Sequence, residues 1–289
     1  KSYIEYGENC LKLLNGMFAF AIYDKKNNNL FVARDRLGVK PLYYSYKKGE
    51  FIFSSEIKSL LEHPNVSKKI NENSIYEFFM RQYISAPDTI FNDIKKLEQG
   101  HYLIINKNGV KKVKYWDLEY SSTYSNEQEV ISKIKELLEE SVRLRLIADV
   151  PLGAFLSGGV DSSIIVSLMA KLKGDGIKTF SMGFNEKEYD ESKYAKLVSE
   201  KFQTDHSSII LDESHMKLLD KVIYHLDEPL SDFASLPTYI LSELARKKVK
   251  VVLTGEGGDE NFAGYNYYKK FDNILNYGKY LPSINLKIK

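Results

Sequence analysis

Two stretches of this chain combine residue types that can hold an anion beside a cation. The first is Leu156-Ser157-Gly158-Gly159-Val160-Asp161-Ser162-Ser163. Its two glycines let the backbone approach an anion with no Cβ in the way. The apolar run after it, Ile164 to Ala170, reads as a buried helix, and the free N–H groups and dipole at the start of that helix favour negative charge at the turn. Ser157, Ser162 and Ser163 add hydroxyl donors. Asp161 supplies a carboxylate able to hold a magnesium ion against phosphate. A Walker A loop would need Lys-Ser or Lys-Thr after its last glycine, and no lysine stands here.

The second stretch is Thr254-Gly255-Glu256-Gly257-Gly258-Asp259-Glu260, three glycines and three carboxylates in one turn. Acidic glycine turns are usually solvated loops. This one follows a mostly apolar strand, so a carboxylate in it can share a metal with Asp161 and offset charge on a leaving phosphate group.

The elements around these stretches give the fold class. Val150 to Leu156 reads as a buried parallel strand entering the first turn. Strands at 177–184, 206–211 and 249–254 alternate with helices at 190–202, 214–225 and 235–247. Such alternation makes a parallel sheet with helices on both faces, and ligands bind at the carboxyl ends of its strands. The ends that matter are Leu156, Phe180 to Gly183, and Thr254. A helix capped by Asn126 and running to about Leu146 carries apolar residues mostly at spacings of 3 and 4. Before it, residues 117–127 are polar and aperiodic and read as a linker. The first part is strand-rich: Met17 to Tyr23 with Leu30 to Arg34, 41–46 with 50–53, and a hairpin of 100–105 with 110–116. Ser55 reads as the cap of a short helix over 56–62, and Asn73 or Ser74 as the cap of another through about Gln82.

Composition limits the partners. The 289 residues carry a net charge of +2, which gives no reason to expect a nucleic-acid or anionic-membrane surface. No apolar run reaches the roughly 20 residues of a membrane span. The single cysteine, Cys10, excludes an internal disulfide and suits a reducing compartment such as the cytoplasm. The chain opens on Lys1-Ser2 and ends without a cap, so it reads as a fragment.

Ser157-Gly158-Gly159-Val160-Asp161-Ser162 resembles the PP-loop of the ATP pyrophosphatases, and Thr254 to Glu260 resembles the Ser/Thr-Gly-Glu-Gly-x-Asp-Glu turn of glutamine-hydrolysing asparagine synthetases. Asn15 to Ala21 and Arg34-Asp35-Arg36-Leu37-Gly38-Val39-Lys40-Pro41-Leu42-Tyr43-Tyr44 resemble the second half of the glutaminase domain of the same family. The resemblance implies an α/β protein in which a truncated, strand-rich N-terminal-nucleophile glutaminase domain (type 2, residues 1–116) is followed by the linker and by an incomplete PP-loop domain at 128–289. It implies ATP and Mg2+, with aspartate and glutamine or ammonia as substrates, and it is compatible with a homodimer. Leu156, Ser157, Gly158, Gly159, Asp161, Ser162, Met182, Thr254 and Gly255 would hold the nucleotide and pyrophosphate. Asp161 and Asp259 would hold magnesium, and Glu256 would support formation of a β-aspartyl-AMP. Met182 also fits plain sheet core.

The glutaminase nucleophile of this family is an N-terminal cysteine, and none is present in this chain. Cys10 sits in an apolar helical pattern and reads as a buried thiol. By itself the chain is expected to show no glutaminase activity and little or no synthetase activity. Arg34, Asp35 and Arg36 read as a structural ion-pair turn, Asp190-Glu191-Ser192 as a helix cap, and His206 as a strand residue. Asp227-Glu228-Pro229-Leu230-Ser231-Asp232 reads as a proline turn or, by resemblance, as a border of the acid pocket. Two other readings fit the same motifs: a relative that amidates another carboxylate in polysaccharide or peptide modification, and a non-catalytic nucleotide-binding module.

Overall fold

The computed structural model describes residues 1–120, 126–186, 188, 190–268 and 270–271. The chain forms two compact units, residues 1–123 together with 217–235, and 124–216 together with 236–289. Of the linker reading at 117–127, residues 121–125 lie outside the described residues, and α5 already begins at Glu127.

The first unit is built from two antiparallel sheets. One joins β1 (Ala19–Asp24), β2 (Asn29–Arg34), β6 (His101–Asn106) and β7 (Gly109–Lys114) in the order β1-β2-β6-β7. The other joins β3 (Tyr43–Lys47), β4 (Glu50–Ser54) and the short β5 (Lys95–Lys96) in the order β4-β3-β5. Strand alternation sorts the cores. Phe31 and Ala33 of β2 pack with Cys10 and Leu11 of α2 (Cys10–Leu13), with Tyr3 of α1 (Ser2–Tyr6) against them. Val32, between them in sequence, turns the other way to Leu42, Leu97 and Leu103, with Tyr44 and Phe51 of the second sheet against that cluster. Ile57 and Leu60 of α3 (Ile57–Leu61) join Ile94 and Val66 beyond the second sheet. The unit is thus layered helix, sheet, sheet, helix. Cys10 is 2% exposed and burial pushes its thiol upward, so it is core.

Arg34 and Asp35 correct the sequence reading. They form no ion pair with each other. Arg34 donates to the carbonyls of Lys40 (Nε, 2.8 Å), Leu97 (Nη1, 2.5 Å) and Gly38 (Nη2, 2.7 Å). The Asp35 carboxylate, 1% exposed, accepts the amides of Phe18 (3.2 Å), Val39 (2.9 Å) and Lys40 (3.0 Å). Each charge folds the 35–42 turn around itself through backbone groups, because buried amides and carbonyls must find partners.

The helix caps also differ from the local reading. α4 (Glu72–Arg81) is capped by Asn71, whose side chain accepts from Asn73 N at 3.2 Å, while Ser74 is buried and donates to Thr89 O at 2.8 Å. α3 makes no side-chain cap of its own. Its first amides, Ile57 N and Lys58 N, donate to the carboxylate of Asp227 at 2.7 and 3.4 Å, from a residue 170 positions away. Lys58 pairs with the same carboxylate at 2.8 Å, and Lys96 pairs with Glu228. Residues 217–235 therefore belong to this unit. They include α8 (Leu219–Leu226), which follows a 3-10 turn at Glu213–Leu218 where one continuous helix was expected. Asp212 holds that turn by accepting Ser214 N and Oγ.

The second unit is a four-stranded parallel sheet, β10-β9-β8-β11, with β8 (Leu152–Phe155), β9 (Lys178–Phe184), β10 (Asp205–Leu211) and β11 (Val251–Leu253). On one face lie α5 (Glu127–Arg145), α6 (Val160–Lys173) and α7 (Ser192–Lys201), packing Val142, Val166, Met169 and Ala195 on Leu152, Ala154 and Leu156. On the other lies α9 (Ser235–Arg246), with Leu241, Leu244 and Ala245 against Phe155 and Phe180. Asn126 caps α5 as read from sequence, accepting from Gln128 N at 2.9 Å. Among the described residues no helix is long and apolar enough to cross a membrane.

Asp35→Ala orphans three amides in the first unit and is expected to cost about 3 kcal/mol or more. An unfolding free energy from urea titration within about 0.5 kcal/mol of wild type would show that the turn holds without the carboxylate.

Candidate functional site

The site begins where β8 ends. Leu156 is buried and its amide donates to Phe180 O at 2.8 Å, so the pairing with β9 carries one residue past the end of β8. The chain then turns through Gly158 at φ +88°, a conformation open to glycine and strained for any other residue. A Cβ at Gly158 would lie 2.4 Å from Ala195 N and 2.5 Å from Tyr194 Cβ, so the first turn of α7 closes on the loop from below. Sequence reading missed this partner; its only local signal is the small, fully buried Ala195.

Gly159 is the N-cap of α6, and no side chain caps the helix. No side chain of the N-cap meets the first amides of this 14-residue helix, and such a helix start is where an anion is favoured. The serines hold the loop's shape. Ser157 Oγ and Ser162 Oγ lie 3.0 Å apart, Gly159 N donates to Ser157 Oγ at 3.2 Å, and Ser162 and Ser163 donate to Gly159 O at 3.2 and 2.7 Å. Ser162, 8% exposed, therefore braces the loop from inside, while Ser157 is exposed at its rim.

β11 pairs directly with β8, matching Val251, Val252 and Leu253 to Leu152, Gly153 and Ala154. This register puts the acidic turn beside the loop. A Cβ on Gly255 would lie 2.8 Å from Ser162 N and 3.0 Å from Asp161 Cβ, and one on Gly258 would lie 2.5 Å from Asp161 Cγ. Two motifs about a hundred residues apart thus meet at the start of α6. Thr254 is half-buried and its hydroxyl accepts from Glu256 N at 3.4 Å. Glu256 is exposed. Asp259 lies in α10 (Gly258–Phe262), against Gly264, whose amide donates to Asp259 O at 3.0 Å. Next along, Glu260 accepts from the Tyr265 hydroxyl at 2.5 Å, which lowers the carboxyl and pushes the phenol up to about 12.

Met182 sits on β9 two positions past Phe180, which faces Phe155 across the ladder, so it stands level with the loop and is half-buried. Asp190 organises the approach to α7, accepting Ser192 N (3.1 Å) and Oγ (2.8 Å), although the helix itself starts at Ser192. His206 remains a strand residue with buried partners. Its Nδ1 lies 2.9 Å from Thr179 Oγ1 and its Nε2 3.0 Å from Ser181 Oγ. Burial holds it below the ordinary imidazole range, against the opposing pull of Asp205.

Among the described residues no three His, Cys, Asp or Glu side chains converge to make a complete metal cage. The donors at hand are the carboxylates of Asp161 and Asp259, hard oxygen ligands, and Gly258 keeps the space against Asp161 free of a Cβ. This suits an ion that takes one or two carboxylates and fills its remaining positions from phosphate and water, as Mg2+ does.

Residues 133–288 match the asparagine synthase family. The chain belongs to that family. Residues 1–116 match the glutamine amidotransferase domain family. A Methanocaldococcus jannaschii protein provisionally named glutamine-hydrolyzing asparagine synthetase 2 is 42% identical over 100% of this chain and 58% of its own length. Asparagine synthetases 1 and 3 of Bacillus subtilis are 36% and 33% identical, over 93% and 94% of the chain and 43% and 47% of their own lengths. The chain thus spans about half the length of the curated relatives it matches.

Gly158→Ala forces a Cβ into the α7 backbone at positive φ and is expected to cost about 2 kcal/mol or more. Gly159→Ala, at φ −64° with only the Ser157 hydroxyl at 3.3 Å, should cost less than about 1 kcal/mol. Equal urea midpoints for the two variants would contradict the packing of α7 on the loop. His206 gives a pH signature. Its folded pKa is lowered, so the unfolded chain takes up the proton first as pH falls below about 6.5. The histidine's contribution is full above that pH and declines below it. His206→Gln should flatten the stability loss between about pH 7.5 and 5.5 relative to wild type, and an unchanged slope would exclude the buried neutral imidazole.

Proposed function

We propose that this chain is part of a glutamine-dependent asparagine synthetase, in which ATP activates the side-chain carboxylate of aspartate and ammonia replaces the activating group. The observation that carries the reading is the meeting of the Ser157–Ser163 loop and the Thr254–Glu260 turn at the carboxyl ends of paired strands, in a chain of the asparagine synthase family.

A carboxylate is a poor electrophile toward ammonia, so it must first become an acyl phosphate or acyl adenylate. The loop at the start of α6 suits the second route. Its amides, which no side chain caps, would receive the β and γ phosphates together with Ser157 and Gly158–Gly159. Charge that builds on those phosphates as pyrophosphate departs falls on the helix N-terminus, where it is most stabilised. Leu156, Met182, Thr254 and Gly255 would border the nucleotide, and Ser162 keeps the loop closed from beneath. The acid carboxylate attacks the α-phosphorus, giving β-aspartyl-AMP and pyrophosphate. Glu256, exposed at the turn, would support formation of that adenylate. Ammonia then displaces AMP. Asp161 and Asp259 would hold Mg2+, which when bound neutralises phosphate charge. The ammonia would come from glutamine through the amidotransferase unit, and the buried Cys10 fits a reducing, cytoplasmic setting.

The test uses the full-length protein that contains this chain, supplied with ATP, ammonia and either aspartate or a panel of other acids. Pyrophosphate and AMP formed with aspartate alone are expected, and Asp161→Asn should lower that rate by about 100-fold or more. Release with a different acid would move the protein to another amidation. ADP and orthophosphate, or no turnover with any acid, would leave only nucleotide binding.

A further inference from the structure

The asparagine synthase match runs unbroken from 133 to 288, yet residues 217–235 inside it pack with the amidotransferase unit. The root of this strap is pinned at three points within that unit. Asp227, at φ +66° after α8, accepts Ile57 N and Lys58 N at the start of α3 and pairs with Lys58 Nζ at 2.8 Å. Glu228 pairs with Lys96 of β5, whose ammonium also donates to Ile84 O at 2.6 Å. Ser231 N donates to Gln82 O at 2.9 Å.

The pairs are shielded. The side chains of Asp227 and Glu228 are 6% and 12% exposed, those of Lys58 and Lys96 20% and 14%. A shielded ion pair adds little net stability over an apolar contact, but it fixes geometry, since either charge alone is costly there. Past the strap the chain enters α9 at Ser235. α9 rests on Phe155 and Phe180, and Phe155 directly precedes Leu156 and the phosphate loop. Covalent continuity therefore links α3 and β5 of one unit to the helix packed beneath the loop strand of the other.

We propose that Lys58 and Lys96 are positioning residues that hold Asp227 and Glu228 in the amidotransferase unit and so couple nitrogen from glutamine to amide formation. This rests on the function proposed above. A purely structural pair would change stability alone. A coupling pair changes how much of the hydrolysed glutamine appears as asparagine while each half-reaction continues.

The experiment measures asparagine formed per glutamine hydrolysed, beside asparagine formed from free ammonia, in the full-length protein. Lys96→Met is expected to lower the ratio by about five-fold or more and to leave the ammonia-driven rate near wild type. Lys96→Arg should restore the ratio. Glu228→Asp keeps the charge and withdraws the carboxylate by one carbon, so it reports even if Lys96→Met folds poorly. A wild-type ratio in both Lys96→Met and Glu228→Asp overturns the proposal. A wild-type protein that makes no amide from ammonia or glutamine with any acid overturns the function reading instead, and the coupling falls with it.

Discussion

The synthase unit depends on one steric constraint, the absence of Cβ atoms around the start of α6. Gly255 and Gly258 bring the acidic turn against Asp161 and Ser162 in the first turn of that helix, and Gly158 lets the preceding loop close on the first turn of α7, each at distances no larger residue allows. The sheet register makes the approach possible, because β8 and β11 are direct neighbours and end together. Given that register, glycine is the only residue type that lets the two turns meet. What lies between them is the N-terminus of α6, which no side chain caps, with the Asp161 carboxylate beside it, and in the proposed function that N-terminus would take the place of the lysine of a Walker A loop.

The amidotransferase unit is held by a different device. Its two sheets share an apolar interior, but its turns are organised by charges that reach for backbone rather than for each other. Arg34 collects three carbonyls and Asp35 three amides. Such groups fix a loop more firmly than a surface ion pair, whose net worth is small.

What the sequence shows well is what depends on near neighbours. The glycine turn between β8 and α6, the acidic turn, the α/β alternation and the Asn126 cap each declare themselves within a few residues, and the structure has these elements where the pattern put them. Arg34-Asp35-Arg36 was legible as structural but not in kind, since alternating charges in sequence say nothing about which backbone groups lie within reach. The packing of Tyr194 and Ala195 on Gly158 left almost no trace, because a small residue in a helix serves many purposes. The role of Asp227 was hidden for the plainest reason. A proline-containing acidic turn looks local, and its partners stand 170 positions earlier.

That distance has a consequence for the making of the protein. A chain emerges from the ribosome at about 5–20 residues per second, so α3 is exposed on the order of ten seconds before its cap is synthesised. During that interval the helix has two unsatisfied leading amides and Lys58 lacks its Asp227 counter-charge. The amidotransferase layers can assemble around Phe31 and Val32, but their α3 corner is finished only by sequence belonging to the following domain. The order of synthesis and the order of completion are therefore different, and the nascent first half is a natural client for whatever shields incomplete surfaces in the cell.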